Sequence, residues 1–277
     1  MIKLMYITNR PSIARIAEAA GADRIFIDME SFGKQNRQGG MDTVQSHHTF
    51  EDEKAIRSVL TDAELLVRCN PIHKAGEGYC GSDEEIETII QNGADIIMLP
   101  YFKTVDEAAF FIEKVGGRAK TDLLVETPEA VEAIDEILAL PGIDEVHVGI
   151  NDLSLGYRKQ FMFELLTDGT VERLCEKFRE AGISFGIGGI ASLGRGLLPA
   201  EYLIKEHYRL GSTAAILSRS FCNANRIADI NIIRRIFHNG VKEIRAFEQE
   251  CCQADPADLL DNKREIDRIV ADIVHKS

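Results

Sequence analysis

Seven residues combine a reactive or polar side chain with a position at the end of a short apolar run: Asp28, Glu30, Arg68, Asn70, Glu126, Asn151 and Asp152. Glu126 and Asp152 offer hard carboxylate oxygens. Two such groups on neighbouring strand ends can share one divalent cation while water and a bidentate substrate complete its octahedron. The plainer reading is a helix cap and a surface charge. Arg68 ends Leu65-Leu66-Val67-Arg68, and a guanidinium leaving an apolar run is costly unless it meets an anion. That anion is an enolate or carboxylate oxygen of a substrate, or the chain's own Asp28 or Glu30, and both arrangements can hold together.

A proton carrier is harder to read. His48, in Gln45-Ser46-His47-His48-Thr49, could move a proton near neutral pH if brought over the carboxylates, and it reads equally as a solvated loop histidine. Glu30 and a metal-bound water are the other choices. In the same stretch Lys34, Arg37 and Gln38 suit a phosphate, sugar or thioester tail, or simple solvation. Gly186, Gly188 and Gly189 allow close backbone approach to an anion or only relieve crowding, with Arg195 and Arg219 as possible anion partners. His73, His147 and His207 lack metal-ligand spacing and read as structural.

These residues need a scaffold that brings strand ends together. Eight β-branched-rich runs, Lys3–Thr8, Arg24–Glu30, Glu64–Asn70, Asp95–Tyr101, Asp122–Thr127, Glu145–Ile150, Ser184–Ile190 and Ala214–Ser220, alternate with amphipathic stretches, the pattern of repeated βα units. Helices are predicted at Ser12–Ala20, Asp52–Leu60, Asp83–Gln91, Val105–Val115, Pro128–Leu138, Val171–Glu180 and Ala200–Tyr208. Ser82 and Thr104 are read as N-caps, Pro128 as a first helical residue, and Gly21, Gly93 and Gly182 as helix stops. One helix-to-strand turn recurs in Ala20-Gly21-Ala22-Asp23, Asn92-Gly93-Ala94-Asp95 and Glu180-Ala181-Gly182-Ile183. The fold predicted is a TIM (β/α)₈ barrel with additional C-terminal helices, residues 1–225 forming the barrel and 226–277 a helical extension. In such a barrel only the carboxyl ends of the strands converge on one substrate. Ser31–Glu51, polar and glycine-bearing, is too long for an ordinary βα connection and reads as a functional loop.

A net charge of −13, with basic residues scattered, argues against a nucleic-acid surface and for small-molecule chemistry. The six cysteines lack zinc-type spacing and read as reduced. No signal-peptide pattern or long apolar run is present, so a cytoplasmic protein without membrane contact is expected.

The pieces Ile27-Asp28-Met29-Glu30, Leu66-Val67-Arg68, Gly93-Ala94-Asp95-Ile96-Ile97-Met98-Leu99-Pro100, Val125-Glu126-Thr127 and Val148-Gly149-Ile150-Asn151-Asp152-Leu153-Ser154 resemble, in order and spacing, the HpcH/HpaI aldolase and citrate lyase β-subunit family. The resemblance implies a divalent ion, Mg²⁺ first and Mn²⁺ or Co²⁺ otherwise, on Glu126 and Asp152. It implies that Arg68 steadies a pyruvate-type enolate, that Asp28 helps bind substrate, and that backbone amides near Gly149, Ile150 and Asn151 meet the carboxylate. Two departures matter: Ser31 stands where many of the aldolases carry a histidine base, and Leu124 where they tend to carry glutamine.

The reading is therefore a metal-dependent carbon–carbon lyase acting on a 2-oxo acid, with Arg68, Glu30 and His48 as catalytic residues. The alternatives are a citrate lyase or malyl-CoA lyase-like thioester lyase, and a non-catalytic barrel that binds an anionic metabolite. A homo-oligomer built from dimers, up to a hexamer, is expected. Ile232, Ile233, Ile236 and Phe237, with Leu259, Leu260, Ile266 and Ile269, would face a neighbouring barrel or else pack within the chain across the barrel base.

Overall fold

The computed structural model describes residues 1–32 and 48–276. Eight parallel strands, β1 (Lys3–Ile7), β2 (Arg24–Asp28), β3 (Glu64–Arg68), β4 (Ile96–Leu99), β5 (Lys120–Val125), β6 (Glu145–Val148), β7 (Ser184–Ile190) and β8 (Ala214–Leu217), pair in chain order, and β8 closes onto β1. All eight coincide with the apolar runs. Seven of the ladders stop before the end of their run, which leaves Glu30, Asn70, Glu126, Asn151 and Asp152 beyond the sheet on the barrel rim, while Asp28 and Arg68 are the last residues of their strands.

The interior is layered. At the amino ends of the strands the fully buried Arg24 guanidinium donates to Glu64 at 2.9 Å and to both oxygens of Glu145 at 2.7 and 2.6 Å. Above it lies an apolar plug of Met5, Phe26, Leu66, Ile96, Met98, Leu124 and Ala214. Filled in this way the barrel is a packed core, not a pore, and its upper rim is left for chemistry.

The connecting helices bury one face each against the strands, as in Pro11–Ala19 through Ile13, Ala14, Ile16 and Ala17. Thr104 caps Val105–Val115 in a reciprocal box with Glu107. Ser82 is not an N-cap: Gly81 takes that place, and the Ser82 hydroxyl instead accepts from the His73 N–H at 2.9 Å. The predicted helix Pro128–Leu138 breaks at Ala133 into Pro128–Glu132 and Ile134–Leu138. Two short helices, Ile150–Gly156 and Glu164–Thr167, were not anticipated.

The C-terminal extension forms two helices, Ile230–Gln253 and Pro256–Val274. They pack on Pro11–Ala19 and Ala200–Leu210 of the same chain. Ile233, Phe237 and Ile266 are fully buried there, within this chain's own core. Ile232 and Leu260 remain exposed. Among the described residues no helix is long and apolar enough to cross a membrane.

Candidate active site

At the carboxyl ends of the strands lies a cleft of about 370 Å³, a size suited to a small metabolite. Asp28, His48, Arg68, Glu126, Gly149, Ile150, Asn151 and Asp152 all line it. They come from the rims of β2, β3, β5 and β6 and from His48, just ahead of the Thr49 N-cap of helix Phe50–Arg57, so residues far apart in sequence meet as the barrel closes.

Arg68 and Asp28 are register partners on adjacent strands, which sets the Arg68 Nε–H to donate to Asp28 Oδ1 at 2.8 Å. The other arm of the fork stands 3.4 Å from Glu30 Oε2. Burial works against the Arg68 cation, yet the facing charges of Asp28 and Glu30 outweigh it and hold its pKa above the usual range. Both expected roles of Arg68 thus coexist, a structural pair and a cation on the cleft. Glu30 is fully buried and is not among the residues lining the cleft, which corrects its expected role from proton carrier to counter-charge for Arg68. Asn70 also stays off the cleft: its Oδ1 accepts from the Ser31 and Phe32 N–H groups at 2.9 and 3.2 Å, while its amide donates to Glu85 at 2.8 Å. It ties the start of the long insertion to helix Ser82–Asn92.

Glu126 follows β5 directly and is held from two sides. Its Oε1 accepts from the Tyr101 N–H at 3.0 Å. Tyr101 has φ of +48°, a left-handed backbone that a side-chain-bearing residue adopts only when its surroundings enforce it. On the other side the backbone passes so close that a Cβ on Gly149 would lie 2.8 Å from Glu126 Oε2. Asp152 stands in the first turn of Ile150–Gly156 and is largely buried. The Gly149 N–H is spent on the Val125 carbonyl at 3.0 Å, so its expected part in carboxylate binding is corrected. The Ile150 and Asn151 amides, first in their helix, have no intrahelical acceptor.

Among the described residues no cluster of three His, Cys, Asp or Glu side chains is placed to hold a metal. A divalent ion here would therefore rest on Glu126 and Asp152 and take its other ligands from substrate and water. The pair of hard carboxylates fits that demand.

His48 is placed by the box at Thr49, whose hydroxyl accepts from Asp52 as Asp52 accepts from the Thr49 N–H. His48 Nδ1 accepts from the Asp28 N–H at 3.0 Å. With that lone pair occupied, the neutral ring carries its proton on Nε2. The expectation of a general base at His48 is thereby revised to a hydrogen-bond donor. His47, Lys34, Arg37 and Gln38 lie outside the described residues.

His147, expected to be structural, lies on the floor of the cleft beside its register partner Leu124. Burial pushes its pKa down to about 4, so it is neutral at physiological pH, with Nε2 3.2 Å from the Gly188 carbonyl. Its ring fits because residue 186 is glycine: a Cβ there would lie 2.2 Å from His147 Nδ1. The crowding reading of Gly186 thus holds. Gly188 and Gly189 border the cleft, as does Arg219, whereas Arg195 lies in a separate groove beside Arg235. Tyr101 and His147 are among the site residues that sequence reading missed. Nothing local marks a left-handed tyrosine, but a histidine inside an apolar run was a usable signal.

Residues 3–187 match the HpcH/HpaI aldolase/citrate lyase family. None of the curated proteins matches the chain. Among solved structures, an HpcH/HpaI aldolase/citrate lyase family protein from Burkholderia cenocepacia J2315 is similar at 16% identity and a TM-score of 0.60, covering 88% of this chain and 95% of its own. An HpcH/HpaI aldolase from Desulfitobacterium hafniense DCB-2 gives 18%, 0.60, 88% and 93%, and the citrate synthase SbnG 17%, 0.57, 88% and 94%. At these identities the likeness is one of fold. The family match spans well over half of the sequence and contains Asp28, Arg68, Glu126 and Asp152, and the chain belongs to the HpcH/HpaI aldolase/citrate lyase family.

Proposed function

We propose that the protein is a divalent-metal-dependent carbon–carbon lyase that cleaves or forms a bond to the C3 carbon of a pyruvate-like 2-oxo acid. The observation that carries this reading is the shared cleft. Two carboxylates of different strand ends, Glu126 and Asp152, border the same cavity as an Arg68 fixed by counter-charges. Family membership supports a lyase of this kind.

Glu126 and Asp152 would hold the ion, and when bound it supplies Lewis acidity toward the carboxylate and keto oxygens of the substrate. Asp28 and Glu30 hold the Arg68 fork rigid, so its charge faces the oxygen that turns negative as the enolate forms, without reorganisation at that moment. The Ile150 and Asn151 amides orient the carboxylate. His48 donates from Nε2 to a substrate oxygen, which leaves proton transfer to water. Leu124, Met98 and the neutral His147 give the floor no fixed charge.

Assays for pyruvate release from 4-hydroxy-2-oxo acids in Mg²⁺ or Mn²⁺, with and without chelator, test the proposal. Metal-dependent release is expected. Turnover of acyl thioesters alone would favour the thioester lyase, and binding without turnover a sensor. We also propose assembly into a homo-oligomer, supported by the exposed Ile232, Leu197 and Leu260. Light scattering should give a multiple of 30.8 kDa, and a monomer at micromolar concentration would refute it.

A further inference from the structure

β7 differs from the other strands in composition and in register. It carries Gly186, Gly188 and Gly189, and none of the other strands contains a glycine. Along the β7–β8 ladder the chain advances from Gly186 to Gly189 on β7 while it advances only from Ala214 to Ile216 on β8. One residue of β7 is therefore extra, which is a β-bulge. Gly188 stands in it with φ of +44°, and among the described residues it has no register partner on β6 or β8. A bulge made of glycine does not hold itself in place, because glycine brings backbone freedom and no side chain to pack.

The anchor comes from the neighbouring strand. His147 is buried on β6 in register with Gly186, and its Nε2 lies 3.2 Å from the Gly188 carbonyl. A carbonyl oxygen only accepts, so the neutral ring carries its proton on Nε2 and donates it there. The bulge held in this way presses on the cleft. A Cβ on Gly188 would lie 3.0 Å from Ile150 Cδ1, and one on Gly189 2.9 Å from the Ile216 carbonyl oxygen. Gly188, Gly189 and Ile150 all line the cleft, and Ile150 opens the helix whose first turn bears Asp152.

We propose that His147 is a positioning residue of the cleft: its Nε2–H pins the β7 bulge, and the bulge backs Ile150 and so fixes the turn that presents Asp152 and the Ile150 and Asn151 amides. The proposal rests on the lyase reading above, which assigns those groups to the ion and to the substrate carboxylate. In this role His147 moves no proton and needs no contact with the reacting atoms. Without the donor, the half-buried Gly188 carbonyl either loses its partner or turns toward another one. Either outcome shifts the support of Ile150, and small misplacements of binding groups are costly at a reacting centre.

Two substitutions separate the hydrogen bond from the bulk of the ring. His147→Phe keeps a ring without the donor, whereas His147→Gln sets an amide N–H close to where Nε2–H stood. In hydrogen–deuterium exchange on the full chain, His147→Phe should speed exchange of Ser184–Ile190 and Ile150–Gly156 by about tenfold or more, and His147→Gln by less than about threefold. Calorimetric titration with pyruvate in Mg²⁺ should follow the same order, about tenfold weaker or more for His147→Phe and close to wild type for His147→Gln. Thermal melts confirm that both variants fold. Unaltered exchange in His147→Phe overturns the proposal, as does equal damage in the two variants, which would make the bulk of the ring decisive. A lower melting temperature in His147→Phe with unaltered pyruvate affinity also overturns it, since the residue would then be structural alone. Nitrogen NMR of the wild-type imidazole needs no variant: a proton on Nε2 is expected, and one on Nδ1 overturns the proposal. Failure of wild type to bind pyruvate would contradict the lyase reading, while exchange and the position of the ring proton still decide His147.

Discussion

Arg68 shows how a single side chain joins stability to chemistry, since its fork is gripped by Asp28 and Glu30 and still borders the cleft. A lysine at this position keeps the charge and loses the two-armed geometry. Arg68→Lys should therefore lower kcat by about 30- to 100-fold and raise KM by much less, because the fixed fork matters most when negative charge develops. If KM alone moved in steady-state kinetics, Arg68 would be a ground-state binding residue. At this scale the sequence was informative wherever a charged residue followed an apolar run, which singled out Asp28, Arg68, Glu126 and Asp152. It was silent on which groups pair. That Glu30 spends its charge on Arg68, and His48 its Nδ1 lone pair on the Asp28 N–H, follows from distances that only the folded chain defines.

At the scale of elements, β6 and β7 together supply one side of the cleft floor. His147 projects over β7, where Gly186 leaves room for the imidazole. Gly186→Ala should cost about 1–3 kcal/mol through overpacking, read as a lower urea midpoint, and should also reduce activity by displacing the floor. A stability within error of wild type would mean that the ring can swing aside. All eight strands were legible because a barrel buries both faces of its sheet and writes each strand as a short apolar run. The helix Ile150–Gly156 was not. Asn151, Asp152 and Ser154 are turn formers by composition, so Asp152 reads from the sequence as a strand end, whereas it stands on a helical first turn in which the Ser154 hydroxyl bonds back to the Asn151 carbonyl at 2.7 Å. Likewise, nothing in the composition of Pro128–Leu138 announces the break at Ala133.

The whole molecule is closed below by ion pairs and behind by its C-terminal helices, so its stability carries a pH signature remote from the cleft. Asp122 is buried beside Glu145 and Arg24; burial first, and then the Glu145 charge, raises its pKa from 3.8 to about 8. A folded-state value above the unfolded one means that the folded chain binds the extra proton between those limits. The stabilising share of Asp122 is thus fully present below pH 3.8 and is lost as pH rises toward about 8. Asp122→Asn, uncharged throughout, should gain on wild type by about 2–4 °C in Tm per pH unit from pH 5 to 7. A constant gap across that range would contradict this. The C-terminal helices were legible as helices but not in their packing, because an apolar stripe records burial without naming the surface that buries it. The central claim, that Glu126 and Asp152 serve an ion that promotes enolate formation beside Arg68, is tested most directly by exchange of the pyruvate methyl protons with D₂O, followed by proton NMR in chelator-treated metal-free buffer and in Mg²⁺-supplied buffer. Wild type should exchange them only with the metal present, and Glu126→Gln and Asp152→Asn should each slow exchange by about a hundredfold or more. Exchange that persists in chelator, or in both variants at the wild-type rate, would contradict the account.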